Sequence, residues 1–268
     1  MALPPPSRGS TVLVTGASSG IGAELARELA ARGYGVTLTA RRADRCAELA
    51  SRLEREHGVP VAVQPCDLAD AGAREALVDR LRAGEREVVG VCNNAGRGSA
   101  GPFHTLALES EAELVRINVE ALHHLTGAFL PRMVSQGVGA VLNVASLAGF
   151  QPLPGMATYS ATKAFVITLS EAVHAEVSPS GVSVTCLAPG PVHTEFGSIA
   201  GSEGADMRAP EQVFVAVEDV TRLAVDGMVE GRRMVIPGVP AKAAALGGRL
   251  APRSLLLRLV SRSGFVRV

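Results

Sequence analysis

Residues 11–33 read TVLVTGASSGIGAELARELAARG, and this stretch decides what kind of fold the chain adopts. A short β-branched run, a glycine-rich turn and a helical segment follow one another, which is the context of a phosphate-binding loop. Gly16, Gly20 and Gly22 allow a tight turn, a close approach to a pyrophosphate, and packing of the helix on the strand. The helix N-terminus offers free N–H groups to the phosphates. The alternative is a glycine-rich turn without a ligand, so the rest of the chain must support the motif.

Length and composition limit the possibilities. The chain has 268 residues, 47% hydrophobic and 19% charged, which fits one large α/β domain. The net charge of zero argues against a nucleic-acid partner. The first ten residues lack the apolar run of a signal peptide, and no stretch reaches the roughly 18 apolar residues of a spanning helix. Four scattered cysteines and no cluster with metal-ligand spacing predict a cytoplasmic protein with reduced thiols and no metal site.

The second predicted strand, residues 35–40, ends in two arginines. In dinucleotide-binding folds an acid at this place holds the ribose 2′-OH of NAD, whereas an arginine accepts the 2′-phosphate of NADP. The chain has Arg41 and Arg42 here and no acid, which favours NADP(H), with NAD(H) as the alternative cofactor. A solvated helix start is the competing interpretation of the arginines. Asp44 is predicted to cap the helix that runs to about residue 57.

Two further strands are predicted at residues 61–65 and 88–92. The first leads into Asp67 and Leu68, and Asp67 could accept a hydrogen bond from an adenine amino group or cap the helix that runs to about residue 83. The second leads into Asn93-Asn94-Ala95-Gly96, whose small residues let the backbone lie against a ligand. Asn93 is predicted to tie neighbouring strands together.

Asn118 lies inside a predicted helix that spans about residues 110–134. Asparagine is unfavourable inside helices because its side chain competes for backbone hydrogen bonds. Such residues are often tolerated on a solvated face, but the neighbours here (VRINVEALHHL) are largely apolar. They favour a buried asparagine with a purpose.

Ser146, Tyr159 and Lys163 make up the most informative group after the glycine loop. Ser146 ends an apolar run that reads as the fifth strand, and a strand-end side chain reaches the edge where the sites of α/β proteins gather. Tyr159 and Lys163 are four residues apart in a predicted helix, so their side chains share a face. A nearby ammonium favours the phenolate, which suits a general acid/base. Alone, the pair could equally be surface neighbours.

The remaining chain completes the alternation of strands and helices. Residues 182–187 form a sixth predicted strand, followed by the sharp break APGPVHT at residues 188–194. Residues 195–210 are glycine-rich and without periodicity, as in a loop that closes over a substrate. A helix at residues 211–230 and a last strand at residues 233–236 follow.

The order of these motifs, TGASSGIG, Asp67, NNAG, Asn118, Ser146, YSATK and PGPVHT, resembles the short-chain dehydrogenase/reductase family in its compact single-domain branch. The resemblance covers about residues 11–237. It implies a Rossmann-type, doubly wound α/β fold, with a seven-stranded parallel sheet flanked by helices. It also implies a catalytic domain of residues 1–238, with residues 239–268 as a basic C-terminal extension.

The resemblance assigns roles to individual residues. Tyr159 would act as the acid or base on the substrate oxygen, Ser146 would hydrogen-bond that oxygen, and Lys163 would lower the pKa of Tyr159 and hold the nicotinamide ribose. Asn118 would fix a water that links Lys163 to solvent. The expected cofactor-binding residues are Gly16, Ser18, Ser19, Gly20, Ile21, Gly22, Arg41, Arg42, Asp67, Leu68, Asn94, Ala95, Gly96, Tyr159, Lys163, Pro189, Gly190, Val192 and Thr194. Many NADP-using members carry a basic residue in the glycine loop where this chain has Ser18 and Ser19, so the NADP preference rests on Arg41 and Arg42.

Three functions are compatible with these features. The first is an NADP(H)-dependent oxidoreductase that transfers a hydride to or from a carbonyl or secondary alcohol, with a hydrophobic ketone or ketoacyl substrate. The second is an NADP(H)-binding regulator without turnover, which the complete set of four catalytic-type residues disfavours. The third is a lyase or epimerase, which the lack of an added substrate domain disfavours. The family implies a homodimer or homotetramer through the helices that bear Asn118 and Tyr159.

The C-terminal extension carries basic residues and no acid. Residues 253–262 (RSLLLRLVSR) place Leu255 with Leu259, and Leu256 with Val260, at helical spacing, whereas Arg258 and Arg262 lie on another face. This predicts a short amphipathic helix, and the extension loosely resembles those of bacterial ketoacyl and acyl-chain reductases. The favoured interpretation is a lid that packs on its own domain or a sister subunit. The alternative is weak contact with an anionic membrane surface.

Overall fold

The computed structural model describes residues 2–194 and 214–262 and has a parallel sheet at its centre. The strands are β1 (Ser10–Thr15), β2 (Val36–Thr39), β3 (Val61–Val63), β4 (Glu87–Asn93), β5 (Gly139–Val144), β6 (Val182–Leu187) and β7 (Met234–Val235). Their order is β3-β2-β1-β4-β5-β6-β7, and every neighbouring pair is parallel. The predicted seven-stranded, doubly wound sheet is therefore confirmed. The order reverses between β1 and β4, and ligands of such folds bind outside the strand ends at this switch point.

Helices cover both faces of the sheet. They are α1 (Gly20–Ala31), α2 (Ala43–His57), α3 (Ala71–Ala83), α4 (Leu108–Val115), α5 (Leu122–Gln136), α6 (Ala157–Val177), α7 (Val217–Glu230), α8 (Val239–Leu250) and α9 (Arg253–Arg262). Short 3₁₀ turns occur at Phe103–Thr105, Leu147–Phe150 and Ser178–Ser180.

The two core layers follow from the alternation of side chains along β1. Val12 and Val14 are fully buried in one apolar cluster, which includes residues of α1, α2 and α7. Leu13 points to the opposite face and is buried in a second cluster with residues of α3 and α5. Both faces of a parallel strand are apolar because helices cover both sides, as crossover connections require.

Several element boundaries differ from the sequence prediction. β3 ends at Val63 and not at residue 65. α4 and α5 are joined by a π-helical turn, Arg116–Ala121. The helix predicted over residues 110–134 is therefore a continuous but irregular helix from Leu108 to Gln136. Within the described chain, α7 starts at Val217 and not at residue 211. The predicted closing loop, residues 195–210, lies outside the described residues.

The capping prediction for Asp44 is wrong, and so is the capping alternative for Asp67. Asp44 lies in the first turn of α2, and the cap position is occupied by Arg42. α3 is capped by Asp70, whose Oδ1 accepts a hydrogen bond from the Ala73 amide at 2.6 Å. Asp67 instead accepts a hydrogen bond from the Ala69 amide at 3.0 Å, which forms a turn before the helix. The capping alternative for Asp67 is therefore excluded.

The C-terminal extension packs back onto the domain through its inner face. Ala245 of α8 is buried in a cluster with Phe150 and Val166. α9 has the predicted bounds, Leu256 is buried, and Val260 packs against the cluster that contains Tyr159. This agrees with the lid interpretation of α9. A division of the chain at residue 238 stays a prediction.

Candidate active site

One large cavity of about 1140 Å³ opens at the carboxyl ends of β1, β2, β4, β5 and β6. Its position is the switch point of the strand order, where α/β sheets bind their ligands. It brings together most of the residues that the sequence nominated: Gly16, Ser18, Ser19, Gly20, Ile21, Arg41, Arg42, Asp67, Leu68, Asn94, Ala95, Gly96, Ser146, Tyr159, Lys163, Pro189, Gly190, Val192 and Thr194. Gly22 and Asn118 lie just behind its wall.

The glycine loop has the geometry that the sequence pattern predicts. Gly16 and Gly20 have φ values of +65° and +55°, a region that side chains other than glycine rarely adopt. Gly22 is needed for close packing, because a Cβ there would lie 2.3 Å from the carbonyl oxygen of Gly16. Asn94 fastens the loop from the other side, since its Nδ2 donates to the Thr15 carbonyl at 2.9 Å.

Buried asparagines hold the strands beneath the cavity in place. The register of β4 and β5 pairs Asn93 with Asn143, and the Asn93 Nδ2 donates to the Asn143 Oδ1 at 2.9 Å. The Asn143 Nδ2 in turn donates to Ser170 of α6 at 3.0 Å. The prediction that Asn93 ties neighbouring strands together is confirmed.

Asn118 is buried in the π-helical turn and connects two parts of the site. Its Oδ1 accepts a hydrogen bond from the Arg97 amide at 3.0 Å, and its Nδ2 donates to the Arg97 carbonyl at 3.0 Å and to Thr162 of α6 at 3.1 Å. The prediction of a buried asparagine is confirmed. π-turns often occur at functional sites because they displace one residue from the regular helical ladder.

Ser146, Tyr159 and Lys163 meet in the middle of the cavity wall. The hydroxyls of Ser146 and Tyr159 are hydrogen-bonded, and Ser146 also accepts a hydrogen bond from the Ala148 amide at 3.2 Å. The Lys163 Nζ donates to the carbonyl of Val144 at 2.8 Å and lies 5.7 Å from the centre of the Tyr159 ring. α6 supplies both helical side chains, and the 3₁₀ turn after β5 supplies the serine.

Burial dominates the electrostatics of this group. It raises the pKa of the Tyr159 phenol above 10.0, opposed by the hydrogen bond from Ser146, and it lowers the pKa of Lys163 from 10.5 to about 8. The expectation that Lys163 lowers the pKa of Tyr159 is not met in this arrangement. The ammonium is engaged by a strand carbonyl, and the phenol is sheltered from water.

The adenosine end of the cavity contains a charged cluster that the sequence only half predicted. The Arg42 guanidinium donates to Ser18 at 3.0 Å and to Ser19 at 2.8 Å, so it joins the end of β2 to the glycine loop. Arg41 forms an ion pair with Glu113 of α4 at 3.2 Å, and Glu113 also pairs with Arg97. Neither Arg97 nor Glu113 was predicted, because the tertiary fold alone brings α4 to this edge and pairs its Glu113 with Arg97.

The cavity fits a dinucleotide at this end. Gly96 keeps the wall open, because a Cβ there would lie 3.1 Å from the Asn118 Oδ1 and 3.6 Å from the Lys163 Nζ. The Ser19 side chain makes no capping hydrogen bond at the start of the 12-residue helix α1, so it leaves the amides of the first turn to an anion. Arg41 and Arg42 supply positive charge at the end of β2.

The other end of the cavity is mainly apolar. It is lined by Leu147, Leu153, Met156, Val192, Phe214, Pro240, Ala241, Ala244 and Val260. Phe214 stacks on His193, with ring centres 4.2 Å apart. α8 and α9 thus complete the wall, which local sequence patterns could not reveal.

Residues 2–194 and 214–262 show neither a metal site nor a membrane-spanning helix. They contain no group of three His, Cys, Asp or Glu side chains placed to hold a metal ion. None of their helices is long and apolar enough to cross a membrane.

Comparisons with known proteins agree with this geometry. The short chain dehydrogenase family profile matches residues 10–203. Sulfoacetaldehyde reductase 2 of Chromohalobacter salexigens is 35% identical over 82% of this chain and 85% of its own length. A short-chain dehydrogenase from Sphingobium yanoikuyae, solved in complex with NADPH, is 38% identical over 94% of this chain and 96% of that one, with a TM-score of 0.79.

A third similar protein differs from the first in its substrate. The bulky-bulky ketone specific alcohol dehydrogenase of Comamonas testosteroni is 31% identical over 96% of this chain and 95% of that one, with a TM-score of 0.77. These relatives are reductases and dehydrogenases that act on carbonyl or alcohol groups. With the family profile over residues 10–203, they identify the chain as a member of the short-chain dehydrogenase/reductase family.

Proposed function

We propose that the protein is an NADP(H)-dependent oxidoreductase that interconverts apolar ketones and secondary alcohols. The observation that carries the proposal is the hydrogen-bonded pair of Ser146 and Tyr159 on the wall of the cavity, between a basic, glycine-lined end and an apolar end. A substrate carbonyl beside this pair would accept hydrogen bonds from both hydroxyls. Its reacting carbon would then face the glycine-lined end.

Each residue of the pair has a distinct task. Tyr159 is neutral over the physiological pH range because burial raises the pKa of its phenol, so it can donate a proton to a developing alkoxide. Ser146 orients the substrate oxygen and stabilises its charge through a second hydrogen bond. A bound nicotinamide would supply the hydride.

Lys163 and Asn118 act behind the reacting atoms. The pKa of about 8 leaves the Lys163 amine able to take up and release protons near neutral pH, which suits the resupply of a proton to Tyr159. Asn118 fixes the backbone of Arg97 and the start of α6 through three hydrogen bonds. It would hold a water between Lys163 and solvent.

The cofactor preference rests on the arginines at the end of β2. Arg42 bridges to the glycine loop, and Arg41 is 60% exposed in its side chain, so both are accessible to a 2′-phosphate. The side chain of Glu113 lies in contact with Arg41 and would be repelled by that phosphate. We therefore expect a preference for NADP(H) over NAD(H) that is smaller than the two arginines would give without Glu113.

The apolar end of the cavity favours an uncharged substrate. Among the described lining residues, the polar side chains at this end are Gln151 and His193, and the ammonium of Lys163, beside Tyr159, is hydrogen-bonded to the Val144 carbonyl. An anionic substrate such as the sulfonate of the Chromohalobacter relative would lack a partner there. A bulky ketone, as in the name of the Comamonas enzyme, is the better fit.

We also propose that the protein forms an oligomer, as the family resemblance implies. α4 and α6, with the turn between α4 and α5, expose Leu108, Val115 and Phe165, and such a patch is typical of an interface between subunits. A homodimer or homotetramer through these helices is expected, and sedimentation velocity measures it. The cytoplasmic location expected from the sequence stays a prediction.

The decisive experiment combines a substrate panel with one conservative variant. Purified protein is assayed with NADPH against bulky apolar ketones and against small anionic aldehydes, by loss of NADPH absorbance. Tyr159→Phe should retain NADPH binding and lose activity by about 10²–10⁴-fold, the usual contribution of a general acid. The chain has only two tyrosines, so Tyr34→Phe, which is buried outside the site, is the matched control.

The same experiment tests the regulator without turnover. If NADPH binds but no ketone, aldehyde or alcohol is turned over, the sensor interpretation is supported. Near-normal activity of Tyr159→Phe would show that another group supplies the proton.

A further inference from the structure

The outer face of α8 is apolar where a surface helix is normally polar. Ala241 and Ala245 form its buried face. Val239, Leu246 and Leu250 follow a helical spacing that places them on the opposite side, and they are 79%, 58% and 74% exposed. The large side chains of α8 therefore face away from the domain, and its small ones face the core.

α9 follows α8 in the chain and also exposes leucines. Leu256 is buried and Val260 packs near Tyr159, but Leu255, Leu257 and Leu259 remain exposed. We call the six exposed side chains Val239, Leu246, Leu250, Leu255, Leu257 and Leu259 the tail surface. Monomeric proteins rarely expose so many aliphatic side chains of neighbouring elements to water.

The charged residues of α8 and α9 have one sign. From residue 239 to residue 262 the sequence contains Lys242, Arg249, Arg253, Arg258 and Arg262, and no aspartate or glutamate. Arg249 pairs with Glu171 of α6, whereas Lys242, Arg253 and Arg258 are exposed. Two helices that expose aliphatic side chains and carry only cations are complementary to an apolar phase bordered by anions.

We propose that the tail surface docks on an anionic membrane surface, with its leucines among the acyl chains and its basic side chains among the lipid phosphates. A second copy of the chain is a poorer occupant, because a symmetric contact would bring the same cations face to face. The docking does not depend on the proposed reaction.

The position of the tail surface relative to the cavity gives the docking a purpose. Pro240, Ala241 and Ala244 of α8 and Val260 of α9 line the apolar end of the cavity, so the same two helices form its wall and carry the tail surface. A membrane-dissolved ketone would reach the site along this wall. This last point rests on the proposed function, whereas the docking is tested without substrate.

Co-sedimentation of the full chain with vesicles tests the docking. Vesicles of phosphatidylglycerol and phosphatidylcholine should bind the protein at low salt, and binding should fall as salt rises. The double variant Leu246→Ser/Leu250→Ser removes two exposed leucines and should weaken the partition at least roughly tenfold, given the apolar area withdrawn from lipid. Phe103→Ser, which removes a side chain that is 62% exposed in the 3₁₀ turn Phe103–Thr105, is the matched control and should bind as the parent does.

Three results would overturn the proposal. They are no binding to anionic vesicles at low salt, equal binding to pure phosphatidylcholine, and equal binding by parent and double variant. Sedimentation velocity on the same proteins tests the other occupant, a second copy of the chain. If the parent does not bind vesicles and the double variant loses the oligomer that the parent forms, the tail surface is an interface between subunits. Because the leucines are exposed, the variant should keep the parent's melting temperature, so lost binding cannot be attributed to unfolding.

Discussion

Replacing Lys163 by methionine should abolish or greatly reduce turnover without destabilising the protein at pH 7, and its effect on stability should depend on pH. The Lys163 side chain is buried in the cavity wall, and this burial lowers its pKa from 10.5 to about 8. A tenfold change in proton affinity corresponds to about 1.4 kcal/mol, so holding this ammonium costs the folded state about 3 kcal/mol at pH 7. Methionine has a similar volume and no charge to desolvate.

The sign of the pH dependence follows from proton uptake on unfolding. Because the pKa of Lys163 is lower in the folded state, the unfolded chain binds more protons between pH 8 and 10.5, and the parent gains stability as the pH rises through this window. The cost of the ammonium falls to about 1 kcal/mol at pH 9.5. Methionine also leaves the Val144 carbonyl without its hydrogen-bond donor, which costs about 1–3 kcal/mol of stability at any pH.

The assay is urea denaturation followed by circular dichroism, since the chain has no tryptophan. The parent, Lys163→Met and Lys242→Met are compared at pH 7 and pH 9.5, where Lys242 is the only other lysine and is exposed. The free-energy difference between parent and Lys163→Met should shift by about 2 kcal/mol in favour of the parent between the two pH values, and that for Lys242→Met should stay constant. A pH-independent difference for Lys163→Met would refute the reasoning.

Three further predictions concern the cofactor and the packing of the site. Arg41→Ala should weaken NADPH binding about ten- to a hundredfold and leave NADH binding unchanged, as measured by titration of cofactor fluorescence. Glu113→Gln should tighten NADPH binding by roughly two- to fivefold, because it removes a partly exposed negative charge that would repel the 2′-phosphate. Weaker binding would mean that Glu113 serves to position Arg41. Gly149→Ala should destabilise the fold by about 1–3 kcal/mol and lower activity, because its Cβ would lie 2.6 Å from the Lys163 backbone; exposed Gly127→Ala in α5, with open space around it, should stabilise by about 1 kcal/mol in the same denaturation assay.

Local sequence was sufficient for the order of elements and for most of the nominated residues that line the central cavity. The glycine positions specify a turn with positive φ at Gly16 and Gly20, which few other residues can adopt. The four-residue spacing specifies that Tyr159 and Lys163 share a helical face, and the apolar runs specify strands with both faces buried. All three depend on backbone geometry over a few residues, which a sequence contains in full.

The same local patterns did not predict which of several aspartates caps a helix. Asp44, Asp67 and Asp70 are all suitable caps by residue type, yet only Asp70 caps a helix. Which residue becomes the cap depends on where the preceding strand ends, and the strand ends are set by pairing with neighbouring strands. A difference of one or two residues at the end of β3 therefore decides the role of Asp67.

Burial and long-range charge were decided by the tertiary structure alone. Adjacent residue types suggest that Lys163 lowers the pKa of Tyr159, but the fold directs the ammonium to the Val144 carbonyl and removes the phenol from water. Glu113 is 72 positions from Arg41 in the chain and becomes its ion-pair partner only when α4 reaches the end of β2. In the extension, the sequence determined that helices form, and the packing of Ala241, Ala245 and Leu256 determined which side chains remain exposed. Desolvation and Coulomb energy depend on distance in space, which strand pairing and helix packing set after the local elements have formed.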